Sequence, residues 1–148
     1  MDIAELLPEE HVIASLRAGD KAQLLQELAR RAAAASNLPQ NQILAALEAR
    51  EKLGSTGLGH GFALPHARIE GLDRFFGLFA RLARPIAYDA VDEKPVDLVF
   101  LLLIPAQVGS EPMPIMAAIS RRIRDQELAL QLRKAASAAA LQALLAGA

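Results

Sequence analysis

The run Val96-Asp97-Leu98-Val99-Phe100-Leu101-Leu102-Leu103-Ile104 constrains this chain more than any other segment. It is almost continuously apolar and lies between Pro95 and Pro105. Strict alternation would mark a strand with one wet face, whereas an unbroken run of this length marks a central strand covered on both faces. It is much shorter than the ~20 residues that cross a bilayer. A strand covered twice needs helices on both sides, and the flanking sequence offers them. Asp20 reads as an N-cap, followed by Leu24, Leu25, Leu28, Ala29 and Ala32 at helical spacing, with Ser36-Asn37 closing the helix. Pro39 suits the first turn of a second helix with a stripe of Ile43, Leu44 and Leu47, and Gly54 stops it. In the last third, Ile115, Ile119 and Ile123 recur at i, i+4, i+8. Leu128, Leu130 and Leu132 follow, then an Ala/Leu-rich tail from Ser137. Val12-Ile13, Phe62-Ala63-Leu64 (halted by Pro65) and Phe75 to Leu82 read as further strands, and Pro85 to Pro95 as a loop or edge segment. The expected fold is α/β: a single domain whose sheet is covered by helices on both faces.

Composition narrows the function classes. The 148 residues suit one domain, and 53% hydrophobic with 22% charged residues excludes a disordered chain. Lys plus Arg is 16 and Asp plus Glu is 17, so no global field draws nucleic acid or an anionic membrane. The basic residues at 121, 122, 124, 133 and 134 have no interleaved aromatics and read as a solvated helix face. The absence of cysteine excludes disulfides, thiolate nucleophiles and zinc–thiolate sites, and is compatible with a reducing compartment. The acidic start, Met1 to Glu5, lacks the basic and apolar regions of a signal peptide. The expectation is a soluble, cytoplasmic protein without direct membrane insertion.

The chemistry concentrates between Arg50 and Arg68. Gly54-Ser55-Thr56-Gly57-Leu58-Gly59-His60-Gly61 places four glycines in eight residues, too many for the interior of a helix or strand. Such density suggests a backbone that closely approaches something. No Lys-Ser or Lys-Thr follows Gly59, and the loop follows a helix, so neither nucleotide fingerprint fits. His66 follows Pro65 just after a short apolar strand, where α/β sheets gather their ligand sites. A neutral imidazole is a competent nucleophile near pH 7. Attack on phosphorus would need cations and N–H donors around it, and Arg50, Arg68, Ser55, Thr56 and the loop amides are groups of that kind. A structural histidine bonded to a backbone carbonyl is the competing reading. His60 and His66 are six apart and His11 is distant, which argues against a metal site. Met113 and Met116 read as packing residues.

The stretch Arg50-Glu51-Lys52-Leu53-Gly54-Ser55-Thr56-Gly57-Leu58-Gly59-His60-Gly61-Phe62-Ala63-Leu64-Pro65-His66-Ala67-Arg68 resembles the signature of the mannitol/fructose-class (type 2) enzyme IIA domains of the bacterial phosphotransferase system. Pro85 to Ala90, Pro95 to Phe100 and Leu103-Ile104-Pro105-Ala106 are similar to that family too, so the resemblance spans nearly all of residues 1–148. A free-standing domain of this kind looks most like the nitrogen-regulatory branch. The resemblance implies a mixed, mostly parallel sheet sandwiched by helices on both faces, with His66 accepting a phosphoryl group from the phosphohistidine of an HPr-type carrier and Arg50 neutralising it. It further implies a IIB domain or downstream regulatory proteins as partners, no nucleic acid and no cofactor. His60, Ser55, Thr56 and Arg68 would support the site. Many members carry a second histidine after the Ile-Pro-Ala strand; here Gly109-Ser110-Glu111-Pro112-Met113-Pro114 stands there. His60 is the candidate to supply part of that role. The alternative is a regulatory binding module that kept the fold without efficient transfer. The surface around His66, drawn from Phe62, Ala67, Arg68, Ile69, Phe75 and Phe76, is the expected docking face.

Overall fold

The apolar run forms the centre of a six-stranded sheet in a computed structural model that describes residues 2–107, 109 and 111–147. From Leu98 onward, strand β6 (Val96–Pro105) divides its side chains by parity, and Val96, opposite the irregularity in the neighbouring strand, joins the odd-numbered set. Val96, Val99, Leu101 and Leu103 enter one core, while Leu98, Phe100, Leu102 and Ile104 enter the other. This is why the run does not alternate in sequence: each face meets its own helical layer.

The first layer is α2 (Lys21–Ser36) and α3 (Gln40–Lys52). Asp20 caps α2 by accepting from the Gln23 N–H at 2.8 Å, and Asn37 ends it in the left-handed conformation. Pro39 stands one residue before α3, and its carbonyl takes the Ile43 N–H. The second layer is a short α1 (Ile3–Leu6) with α4 (Met113–Ile123), α5 (Gln126–Lys134) and α6 (Ala138–Leu145). Ile115, Ile119, Ile123, Leu128 and Leu132 are buried as the periodicity requires, but Leu130 is exposed. Met116 packs against the second core, whereas Met113 is 65% exposed and is not a packing residue.

Around β6 the order is β1-β5-β6-β3-β2, with β4 also on β6. β1 (Val12–Leu16) runs parallel to β5 (Phe76–Ile86), which is antiparallel to β6. β5 is longer than the sequence suggests: Pro85 and Ile86 belong to it, after a bulge. Arg81, in the middle of β5, donates to the carbonyls of Ala14, Leu132 and Ala135 and so secures the end of α5 to the sheet. β3 (Phe62–Ala63) and β4 (His66–Ile69) both run parallel to β6, and β2 (Gly57–Gly59) is antiparallel to β3. The glycine-rich stretch is therefore partly an edge hairpin. Its close approach is to the protein itself: a Cβ on Gly57 would stand 2.8 Å from the Ala90 Cα, and one on Gly61 2.7 Å from an Asp97 carboxylate oxygen. Among the described residues, no helix is long and apolar enough to cross a membrane.

Candidate functional site

β3 and β4 are two halves of one strand. Phe62 faces Leu98 and His66 faces Leu102, so the register along β6 is unbroken across Leu64-Pro65. Pro65 supplies no N–H, yet its carbonyl still accepts from the Leu102 N–H at 3.0 Å. His66 thus stands at the entry to β4, just past the end of β3, rather than at a simple strand end.

The break frees the Leu64 carbonyl, which lies 2.9 Å from His66 Nδ1. A carbonyl can only accept, so Nδ1 carries the proton and the neutral ring keeps its lone pair on Nε2. Arg50, in the last turn of α3, donates from Nε to that Nε2 at 3.3 Å and from Nη1 to the Gly54 carbonyl at 2.9 Å. Both residues are half-buried. Alternation on β4 puts Arg68 on the same side as His66. Its Nη1 donates to the Pro105 carbonyl at 3.3 Å. These three residues share a cleft of about 520 Å³ whose walls include Ala46, Ala49, Leu53, Pro112 and Met116. Leu53 is 84% exposed. A nucleophilic nitrogen beside a guanidinium, in a shallow apolar setting, can accept a small anionic group and present it to a docked surface.

Phe62, Ala67, Ile69 and Phe76, expected in part on the docking face, are buried in the two cores. The exposed large apolar residue lining the His66 cleft is Leu53 instead. Of the segment that replaces the second family histidine, Ser110 lies outside the described residues, and Pro112 reaches the cleft wall.

The structure does not bring Ser55, Thr56 or His60 to the His66 ring. Ser55 Oγ donates to the Tyr88 carbonyl at 2.9 Å and accepts from the Gly57 N–H. The buried Thr56 hydroxyl donates to Glu51 and meets the Tyr88 hydroxyl at 3.0 Å. Burial, the largest influence, pushes the Tyr88 phenol above its ordinary pKa. Glu51 also accepts the Thr56 N–H at 3.1 Å and pairs with Lys21 at 2.8 Å, and the Lys21 ammonium sits 4.5 Å from the centre of the Tyr88 ring. This knot under the loop was not read from sequence; Glu51, adjacent to Arg50 inside the motif, was the available signal.

His60 turns away because its φ is +55°, and its N–H donates to Asp92 Oδ2 at 3.0 Å. The neighbouring Gly61 carbonyl takes the N–H groups of Asp97 and Leu98, four β6 residues from Leu102, a span on the order of 13 Å. His60 lines a separate cleft of about 480 Å³ with Gly61, Lys94, Asp97, Leu130 and Arg133. Arg133, expected on a solvated face, donates to both Asp97 oxygens and to the His60 carbonyl at 2.8–2.9 Å. Arg122 likewise donates to the Leu144 carbonyl, while Arg121, Arg124 and Lys134 remain exposed. His11 Nδ1 is held 2.9 Å from the Gly77 carbonyl, a structural role.

Comparison with known proteins identifies the family and the fold. The family model for the phosphoenolpyruvate-dependent sugar phosphotransferase system, EIIA 2, matches residues 5–147. A nitrogen regulatory protein of Bradyrhizobium diazoefficiens is 42% identical over 146 residues, 99% of this chain and 95% of that protein. The crystal structure of nitrogen regulatory protein IIA-Ntr from Neisseria meningitidis superposes with a TM-score of 0.91 at 35% identity, covering 97% of this chain and 98% of that one. Mannitol IIA of Escherichia coli, solved in complex with phosphorylated IIB, shares the fold at a TM-score of 0.80 and 18% identity, over 96% and 98% of the two chains. With the family model spanning nearly the whole chain and a relative above 40% identity, the protein belongs to the EIIA type-2 family of the phosphoenolpyruvate-dependent sugar phosphotransferase system.

Proposed function

We propose that this chain, as one EIIA type-2 domain, is a phosphoryl carrier and regulator. His66 accepts a phosphoryl group from the phosphohistidine of an HPr-type carrier in the cytoplasm, and partner proteins read the result. One observation carries the reading: the Leu64 carbonyl holds the proton on Nδ1, so the Nε2 lone pair faces the cleft beside Arg50. In the transfer, the Nε2 lone pair attacks phosphorus in line with the departing donor nitrogen. The new N–P bond forms as the donor's breaks, and the donor nitrogen leaves with the electron pair. The His66 proton stays on Nδ1. Arg50 moves its contact from Nε2 to the phosphoryl oxygens, where a guanidinium can hold two at once. Arg68, on the same side of β4, adds positive charge at the cleft.

Similarity to nitrogen regulatory proteins favours regulatory targets over a sugar-transporting IIB domain as the downstream partners. Phosphorylation adds about −1.5 to −2 charge, enough to reverse a preference between partners without moving the backbone. Transfer from the carrier needs positioning and charge neutralisation, which Arg50 supplies, so neither metal nor nucleotide is required. The test is incubation with phosphoenolpyruvate, enzyme I and an HPr-type carrier, in the presence of EDTA, followed by intact mass. One phosphoryl adduct on wild type, lost in His66→Ala, supports the reading. An adduct that persists in His66→Ala overturns the site, and one that requires added magnesium overturns the metal-free step. The second reading, a binding module without efficient transfer, is favoured by the cleft lining, in which His66 is the sole histidine among the described residues. An unmodified wild type would select it.

A further inference from the structure

We infer that Glu51 is a positioning residue for phosphoryl transfer, acting on His66 through the 54–56 turn and Arg50; the inference rests on the transfer reading above. Arg50 and Glu51 are neighbours in the last turn of α3, so their side chains leave the helix about 100° apart. Arg50 goes to His66. Glu51 goes the other way, into the sheet side of the turn, where its side chain is 7% exposed.

Three donors converge on this one carboxylate: the Thr56 N–H, the Thr56 hydroxyl and the Lys21 ammonium. Lys21 comes from the first turn of α2 and lies over the Tyr88 ring, so the carboxylate joins two helices and the loop that follows β5. The Thr56 hydroxyl continues to the Tyr88 phenol, and Ser55 Oγ reaches the Tyr88 carbonyl. With Ser55 and Thr56 fixed, Gly54 can place its carbonyl in one position. That carbonyl receives Arg50 Nη1 at 2.9 Å, and the same planar guanidinium then points Nε at His66 Nε2. A guanidinium free to rotate about its terminal torsions would spread its charge over many orientations. One held at Nη1 has a single direction left for its remaining donors. Glu51 does not touch His66, and its work ends at the orientation of Arg50. The residues chosen in sequence as phosphoryl contacts, Ser55 and Thr56, serve the same end from beneath.

The experiment compares Glu51→Gln, Thr56→Val and Lys21→Met with wild type, using the phosphorylated HPr-type carrier as donor. The rate of His66 phosphorylation is followed as the carrier concentration varies. The docking rim is unaltered in all three, so kcat is expected to fall tenfold or more in Glu51→Gln with KM changing by less than threefold. Thr56→Val should fall by a similar factor and Thr56→Ser should restore the rate. The double variant Glu51→Gln with Thr56→Val should be no slower than the slower single, because both act through one turn. In parallel, the Arg50 Nε–H resonance, assigned by its loss in Arg50→Lys, should be sharp and slowly exchanging in wild type and broadened in Glu51→Gln. If Glu51→Gln does not fold, Thr56→Val and its serine rescue carry the same expectations. A wild-type kcat in folded Glu51→Gln or Thr56→Val overturns the inference, as does an unchanged Arg50 resonance in them. If wild type takes no phosphoryl group, the transfer reading fails, while the Arg50 resonance still decides whether Glu51 orients the guanidinium.

Discussion

The two ends of the His60–His66 segment carry the same side chain and do different things. At one end His66 has both ring nitrogens engaged, a carbonyl on Nδ1 and Arg50 on Nε2. At the other, His60 is exposed and, among the described residues, secured only through its backbone, to Asp92 and Arg133. Each has an arginine beside it and a cleft of similar size. The difference lies in what the arginine faces. Arg133 is neutralised bidentately by Asp97, whereas Arg50 points its charge at a nitrogen lone pair and a carbonyl. Among the described residues Arg50, unlike Arg133, has no carboxylate partner, and this leaves its charge for the proposed phosphoryl group.

The sharpest way to break this comparison is to delete each ring. His66→Ala should abolish transfer from the carrier, and His60→Ala should leave it within twofold, as read by intact mass over time. Equal losses would make the two ends one site. The next effect is on the cations. Arg50→Lys should slow transfer by about ten- to a hundredfold, since a point charge replaces a fork, with little change in melting temperature. Arg133→Lys should do the reverse, keeping the transfer rate and lowering stability by about 1 kcal/mol in urea unfolding.

A third test acts on backbone. Gly61 has φ +84°, and an added Cβ would press on the Arg133–Asp97 pair. Gly61→Ala should cost about 1–3 kcal/mol while His66 still accepts the phosphoryl group. The smallest effect is electrostatic. The backbone N–H groups of His60, first, and Lys94 hold the Asp92 carboxyl below its ordinary pKa. A depressed folded pKa means that its stabilisation is present above the unfolded value, near 3.9, and fades as pH falls through the folded one. The stability gap between wild type and Asp92→Asn should therefore be small at pH 7 and close as the solution is acidified below about pH 4. A gap that widens there would contradict the capping role.

Much of this was legible in the chain. The unbroken β6 run specified two helical layers, and Asp20, Asn37 and the Ile115-Ile119-Ile123 spacing located three of the helix features. Arg50 and His66 stood out by residue type and come together. What could not be read depends on pairing across distance. Pro65 looks like a terminator locally, but β6 offers backbone partners on both sides of it, so the strand resumes as β4. Glycines 57 and 59 look like loop, yet they pair with Ala63 and Phe62 in an edge hairpin, with Tyr88 and Ala90 against Gly57, Asp92 beside Gly59, and the Val91 N–H on the Gly57 carbonyl. Hydroxyls at 55 and 56 are the right type for a phosphoryl contact. Tyr88, more than thirty residues away, decides together with Glu51 that they turn inward.

The break at Leu64-Pro65 has one more consequence. β4 pairs with β6 alone among the described strands, so its outer side is an open sheet border, the kind of surface that recruits stray strands from other molecules. The imidazole at 66 satisfies the Leu64 acceptor there and so acts as a plug, besides its proposed role as a nucleophile. Removing it to make an inert protein would also uncork that border. His66→Asn, whose amide N–H can stand where Nδ1–H does, is the inert comparator that keeps the plug. A higher tendency of His66→Ala than of His66→Asn to self-associate on concentration would reveal this second duty of the ring.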